Sequence, residues 1–332
     1  MNVKALIRRV NHTLKLHKLF PEHSRILIAC SGGPDSMALL HLLQDIAAHR
    51  HTKYKLGIAV VDHSIRPESK DEVLWLQNQV DALGLSFYTT TFDVPTLSKD
   101  LKLSEETVGR QVRYQWLNEI AHSEGYDYIA VAHHKNDQAE SILAHLIRGT
   151  GLNGLTGMAV VSNDYDIPVI RPLLDVTKAE LLAYLADRKL TYCIDSTNDD
   201  IRYQRNRIRH RIMPELEAVN PAVVDAIVRL GSSVHEDLRV ISDLVDQSFD
   251  KLVTIDMDEV RISRCALRQE PLAIQRRLWQ RLVSTIDSDL TLTSAHQEQL
   301  LDIVNTGEKK TFTIKSIKVI AQCDTIKVYC KH

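Results

Sequence analysis

From Arg25 onward the chain alternates short apolar runs with segments of helical length, and this alternation most limits what it can fold into. The runs cover residues 26–29, 56–61, 85–92 and 128–132, and the segments after them cover 35–49, 68–83, 105–123 and 137–149. Such a pattern predicts an α/β fold, a Rossmann-like parallel sheet with helices on both faces. Ligands of these sheets sit outside the carboxyl ends of the strands. The residues just after each run are therefore the ones to read for chemistry.

A further run, "DIPVIRPLL", and a helical segment over 177–189 extend this part of the chain. Pro214 and Pro221 then flank a break, after which residues 222–253 read as one or two long acidic helices. Helical segments follow at 272–284 and 295–305, and "KTFTIKSIKVIAQCDTIKVYC" reads as short strands. A chain of 332 residues is long for one core. The pattern predicts a first domain over 1–216, a long connecting helix over 217–253, and a smaller α-helical domain over 254–332 that ends in short strands.

The loop after the first run is SGGPDS, Ser31 to Ser36, and it contains no lysine. It joins a buried-type strand to a helix, so its backbone N–H groups converge where the helix dipole is positive. That makes a phosphate-binding concavity. Gly32 and Gly33 permit close backbone approach, and Pro34 suits a first helical turn, where its missing N–H is not needed. The loop matches neither G-x-x-x-x-G-K-[ST] nor G-x-G-x-x-G. Asp35 would repel a phosphate held here, and a magnesium ion bridging the two resolves the conflict. An ordinary Ser/Asp helix cap accounts for Ser31 or Asp35 alone, but not for two adjacent glycines after an apolar strand.

Formal net charge is −2, yet its distribution is uneven. Residues 1–25 carry six basic side chains and one acid, and "RYQRNRIRHR" over 202–211 carries five arginines, one histidine and no acid. A polyanion could be met by such patches, or they are clumps of solvated surface charge. The five cysteines are scattered and include no Cys-x-x-Cys pair, which speaks against a disulfide framework and for a reducing, cytoplasmic setting. No window approaches a membrane span, so no membrane partner is expected.

SGG-x-DS after a first strand resembles the loop of the PP-loop ATP pyrophosphatases, whose fold is adenine nucleotide alpha hydrolase-like. The resemblance sharpens with "VDHSIRPES", "EETVGRQVRY", "VAHHKNDQAESILAHLIRGTGLNGLTGM", "IRPLL" and "DSTNDDIRYQRNRIRHRIMPEL". Together with "PLAIQRRLWQRLV" and "SAHQEQLLDIV", these are similar to the tRNA(Ile)-lysidine synthetase family. The resemblance implies an AMP-forming carbon–nitrogen ligase. ATP adenylates C2 of the wobble cytidine in the CAU anticodon of tRNA(Ile), and the ε-amine of L-lysine then displaces AMP. Lysidine results, and the tRNA reads AUA.

Carried onto this sequence, the family pattern implies an ATP site from Ser31, Gly32, Gly33, Pro34, Asp35, Ser36, Asp62, His63 and His133. Asp35 and Asp137 are expected to hold magnesium, and both join Arg110 and Arg113 in catalysis. Arg110 and Arg113 lie three apart on one helix face and suit a phosphate clamp, with an exposed stripe as the alternative. Glu140 could hold the ammonium of lysine or be an ordinary helix-surface carboxylate. Arg202, Arg205, Arg207, Arg209 and Arg211 are expected to contact tRNA. His133 and His134 invite a zinc reading, but no third ligand has metal-site spacing.

Two positions depart from the pattern. Asn136 stands where a first of paired aspartates is common, and Cys193 stands where a polar or acidic residue is expected. A tRNA-thiolating relative would need paired cysteines, which the chain lacks, and an ATP-sensing module would not need Asp137 and the arginines together. A homodimer is compatible with the sequence.

Overall fold

The computed structural model describes residues 3–48, 53–64, 68–194, 204–256, 259–287, 290–306 and 309–330. The described residues fall into two compact units, 1–232 and 233–332.

In the first unit β1 (Arg25–Ala29), β2 (Lys55–Asp62), β3 (Ser86–Thr91), β4 (Tyr128–Ala130), β5 (Val161–Ser162) and β6 (Val169–Ile170) form one sheet in the order β3-β2-β1-β4-β6-β5. All neighbours are parallel except β5, which runs antiparallel to β6. The helices are α1 (Val3–Leu16), α2 (Pro34–Ala48), α3 (Ser69–Ala82), α4 (Val94–Leu101), α5 (Glu105–Ser123), α6 (Lys135–Arg148), α7 (Leu152–Leu155) and α8 (Lys178–Asp187). After these come α9 (Gln204–Arg207), a π-helical turn at Ile208–Ile212, α10 (Met213–Val219) and α11 (Val223–Leu252). The stretch read as one or two helices over 222–253 thus holds a single helix, Val223–Leu252, and the division between the units falls inside it.

Local chemistry explains these elements. Ile26, Leu27 and Ile28 of β1 are all fully buried, as expected of a central parallel strand covered on both faces. Helix α2 buries Met37, Leu39, Leu40, Leu42 and Leu43 on every side. It is therefore a core helix, packed against α1 and α8 as well as the sheet. Helix α5 starts at Ser104, whose hydroxyl accepts the Thr107 N–H, and α8 starts at a Thr177/Glu180 capping box.

In the second unit β7 (Val253–Ile255), β8 (Val260–Ser263), β9 (Lys310–Ile314), β10 (Ile317–Ala321) and β11 (Thr325–Cys330) form an antiparallel sheet in the order β7-β8-β11-β10-β9. Helices α12 (Arg264–Gln269), α13 (Leu272–Ile286) and α14 (Ser294–Asn305) lie between β8 and β9 in the chain. Leu278, Trp279 and Leu282 of α13 share a core with Ile303, Val304, Ile262, Ile317 and Val328. Two strands precede these helices, so strands are not confined to the end of the unit. With three and four residues, β7 and β8 are too short for a period-2 signal to stand out. Among the described residues no helix is long and apolar enough to cross a membrane.

Candidate active site at the β1/β4 switch point

Strands β2 and β3 lie on one side of β1 and β4 and β6 on the other. The chain reverses direction across the sheet between β1 and β4, and the carboxyl ends of these two strands flank a crevice there. Several polar segments emerge at that edge. The SGGPDS loop follows β1, Asp62 and His63 end β2, His133 and His134 follow β4, and Arg171 follows β6.

The loop is built as a tight strand-to-helix turn. Gly32 has φ +80°, a conformation that a side chain disfavours, and its open face is covered by Trp75 and the Cys193 thiol. The Ser36 hydroxyl donates to the Gly33 carbonyl at 2.9 Å, and the Met37 N–H bonds the same carbonyl at 3.0 Å. Helix α2 begins at Pro34. Cys193 donates its backbone N–H to the Gly32 carbonyl at 2.9 Å, a main-chain contact that does not depend on which side chain stands at 193.

His134 connects the loop to α6. Its Nδ1 accepts the Asp137 N–H at 3.3 Å while Asp137 Oδ2 accepts the His134 N–H at 3.0 Å, a reciprocal cap. The ring proton then belongs on Nε2, which lies 3.6 Å from Asp35 Oδ1. Asp35 and Asp137 thus stand on opposite sides of one imidazole. The Lys178 ammonium lies 2.7 and 2.6 Å from the two oxygens of Asp35. Burial would raise the Asp35 carboxyl, but His134 and Lys178 outweigh it and hold it below its usual value.

Asp137 and Glu140 share the inner face of α6, both buried, and two arginines close over them. Arg209 donates from Nε to Glu140 Oε1 at 2.9 Å, and from Nη2 to Glu140 Oε2 and to Asp137 Oδ1 at 2.8 Å each. Arg205 donates to Asp137 Oδ1 at 2.9 Å. Burial would raise the Asp137 carboxyl, but His134, Arg205 and His133 together bring it down to about 2. Arg205 stands on α9, and Arg209 stands in the π-helical turn that leads into α10. Of the basic run, Arg205 and Arg209 therefore face the acids, Arg207 and Arg211 are exposed, and Arg202 lies outside the described residues.

The remaining sequence candidates line the same edge. Arg113 donates to His63 Nε2 at 2.9 Å, and burial with the Arg113 charge lowers the His63 imidazole to about 4. Arg110 stacks its guanidinium over the Tyr114 ring at 4.7 Å. Arg171 Nε donates to His133 Nδ1 at 3.2 Å, and burial with the surrounding arginines lowers His133 to about 3. Asp62 is buried and accepts the Ser64 N–H at 2.9 Å. Both histidines are neutral near pH 7.

Sequence reading missed two cations here, Arg171 and Lys178. Both stand in quoted segments, "IRPLL" and the start of α8, but nothing in spacing marks a lysine 143 positions away as a partner of Asp35. It also left Asn136 unexplained. The Asn136 Oδ1 accepts the Lys178 N–H at 3.0 Å, a role an aspartate would fill equally.

No group of three His, Cys, Asp or Glu converges as a metal site among the described residues. Asp35 and Asp137 nevertheless offer hard oxygens, and magnesium takes one or two such carboxylates together with substrate phosphates and water. The donor set suits an ion that arrives with a polyphosphate.

A strand-ending glycine loop opposite acids and arginines, on a sheet of this order, defines a nucleotide-binding α/β protein of the PP-loop class. The sequence profile of the PP-loop domain matches residues 4–216. A solved U34-tRNA thiolase, NcsA from Methanococcus maripaludis with its 4Fe-4S cluster, has the same fold at TM-score 0.59 and 20% identity, over 70% of this chain and 78% of that one. Among curated relatives, the tRNA(Ile)-lysidine synthase of Thermosipho africanus is 38% identical over 70% of this chain and 53% of its own length. That of Nostoc sp. is 31% identical over 84% of this chain and 83% of its own. The chain belongs to the tRNA(Ile)-lysidine synthase family. It spans about half the length of the first of these relatives.

Proposed function

We propose that the chain is a tRNA(Ile)-lysidine synthase, an ATP-dependent, AMP-forming ligase that joins L-lysine to C2 of the wobble cytidine in a CAU anticodon. The observation that carries this reading is the meeting of Ser31–Ser36, the Asp137/Glu140 pair and a ring of arginines at one switch point, in a chain of this family. Residues 1–216 carry the catalysis and 254–332 hold tRNA, in the cytoplasm.

In the first step the cytidine O2 bonds to the α phosphorus of ATP, and the α–β bridge breaks with its electron pair leaving on pyrophosphate. Donors already aimed at that charge lower the barrier without a covalent nucleophile. The N–H groups of Ser31, Gly32, Gly33 and Ser36 cradle the phosphates behind Pro34, with Arg110 and Arg113 as the clamp. Asp62, His63 and His133 border the nucleotide, and the two neutral imidazoles add no charge. Asp35 and Asp137 would hold magnesium, which when bound offsets phosphate charge.

In the second step the lysine ε-nitrogen bonds to C2, loses a proton, and AMP departs with the O2 oxygen. Glu140 and Asp137 attract the incoming ammonium, which takes the place of Arg205 or Arg209 on the carboxylates. Arg207 and Arg211 are exposed and suited to tRNA phosphates, as is Arg202 by its type. Splayed anticodon bases give sequence choice, the usual route for RNA loops.

The test is mass analysis of a CAU-bearing tRNA(Ile) transcript after incubation with the protein, ATP, magnesium and labelled lysine. Lysine on the wobble cytidine with AMP and pyrophosphate released, and loss of both in Asp35→Ala, is the expected result. Pyrophosphate release without lysine transfer would overturn the acceptor while keeping the ATP chemistry.

A further inference from the structure

The phosphate loop has no lysine of its own, yet an ammonium sits against it. Lys178 Nζ meets both oxygens of Asp35, the second residue of α2, at 2.7 and 2.6 Å. Lys178 is the first residue of α8, where the helix dipole disfavours a cation. Asn136, at the start of α6, holds its backbone N–H. Three helices, α2, α6 and α8, therefore begin around one ion pair.

Stability does not explain that placement. The two side chains are 34% and 29% exposed, and a pair so open to water contributes little to folding. The pair does suit exchange. Lysine is a compact charge on a flexible four-carbon stem and can turn from one anion to another without a fixed geometry. A polyphosphate in the loop would bring several negative charges beside Asp35, and that carboxylate could not stay without a cation while its partner lay idle.

We propose that Lys178 is the phosphate ligand that the loop itself lacks, held by Asp35 until a nucleotide arrives and then turned onto its β and γ phosphates. Asp35 is released in the same exchange. As the α–β bridge breaks, the electron pair moves onto pyrophosphate and the Lys178 ammonium meets it there, with no other reactant needed. The inference rests on the ATP-using reading above but not on the identity of the acceptor.

Calorimetric binding of inorganic pyrophosphate without magnesium tests it, since neither tRNA nor lysine is involved. Lys178→Met should weaken binding by about tenfold or more, and Lys178→Arg by less than about threefold. Asp35→Asn frees the ammonium and removes a repelling charge, so it should tighten binding several-fold. The double variant Asp35→Asn/Lys178→Met should bind several-fold more weakly than Asp35→Asn. Lys178→Gln replaces Lys178→Met if the latter does not fold. Wild-type affinity in Lys178→Met, or a double variant that binds as tightly as Asp35→Asn, would overturn the proposal. Lysine transfer failing while this pattern holds would count against the lysidine reading alone.

Discussion

Arg209 holds Glu140 by both carboxylate oxygens, at 2.9 and 2.8 Å, and reaches Asp137 with the same Nη2 at 2.8 Å. Both acids are nearly inaccessible, at 3% and 6% exposure. Removing one partner of a buried pair leaves a charge without compensation, at about 3–5 kcal/mol. Arg205 still bonds Asp137, which puts Arg209→Met at the lower end of that range. Urea denaturation should show this loss, and adding Glu140→Gln should recover part of it. Equal stability in the single and double variants would mean that the arginine and Glu140 are not coupled.

His133 makes stability depend on pH in a stated window. Its imidazole titrates near 3 in the fold and near 6.5 when unfolded, because burial, and then the arginines around it, disfavour the charged form. The unfolded chain therefore binds a proton first as pH falls, and stability declines between about 6.5 and 3. By pH 5 the difference is about 2 kcal/mol from this residue. His133→Gln should flatten the slope of denaturation midpoint against pH over 7 to 5. Asp137 acts elsewhere. Its carboxyl sits at about 2 rather than 3.8, so its contribution is present above about 4 and lost only as pH falls toward 2.

Much of this architecture is legible in the sequence because its signals are local. The helix expected over 105–123 is observed at Glu105–Ser123, with Ser104 as its cap, and β1 and β2 each fall within a residue of their apolar runs. The site is legible in part. Residue types mark Asp35, Asp137 and the arginines as candidates, but partner choice depends on a sheet order that brings β1, β4 and β6 together. Arg205 and Arg209 show the limit. Their spacing gives a charged helix face, and only the fold turns that face onto Asp137 and Glu140.

Gly57 in β2 marks a close approach that no side chain can share. A Cβ there would stand 1.9 Å from Tyr126 Oη and 2.5 Å from its Cζ, and Tyr126 is itself buried. Gly57→Ala should destabilise by about 1–3 kcal/mol through forced displacement of the ring. Tyr126→Leu in the same chain removes the obstructing atoms, so the two changes together should cost less than their sum. Denaturant midpoints of the four proteins check this. Additive costs would show that the ring moves freely.

In the second unit a buried arginine closes a helix end. Arg264 is 1% exposed and donates to the carbonyls of Val304 at 3.4 Å, Gln322 at 3.2 Å and Ile303. Helix α14 ends at Asn305, so two of these acceptors are carbonyls that the helix itself leaves unpaired. Arg268 covers Val304 and Asn305 from a more exposed position, at 2.9 Å each. Arg264→Met keeps much of the volume and leaves no buried charge, but it strands the Ile303 and Gln322 carbonyls at about 1–3 kcal/mol apiece, while Val304 keeps Arg268. Arg264→Lys has one compact donor group in place of a fork and should recover only part of the loss. Arg268→Met should cost less than either, because water can reach its acceptors. Hydrogen exchange of the α14 and β10 amides would read the effect directly, and protection unchanged in Arg264→Met would show that the arginine fills space without holding the helix end.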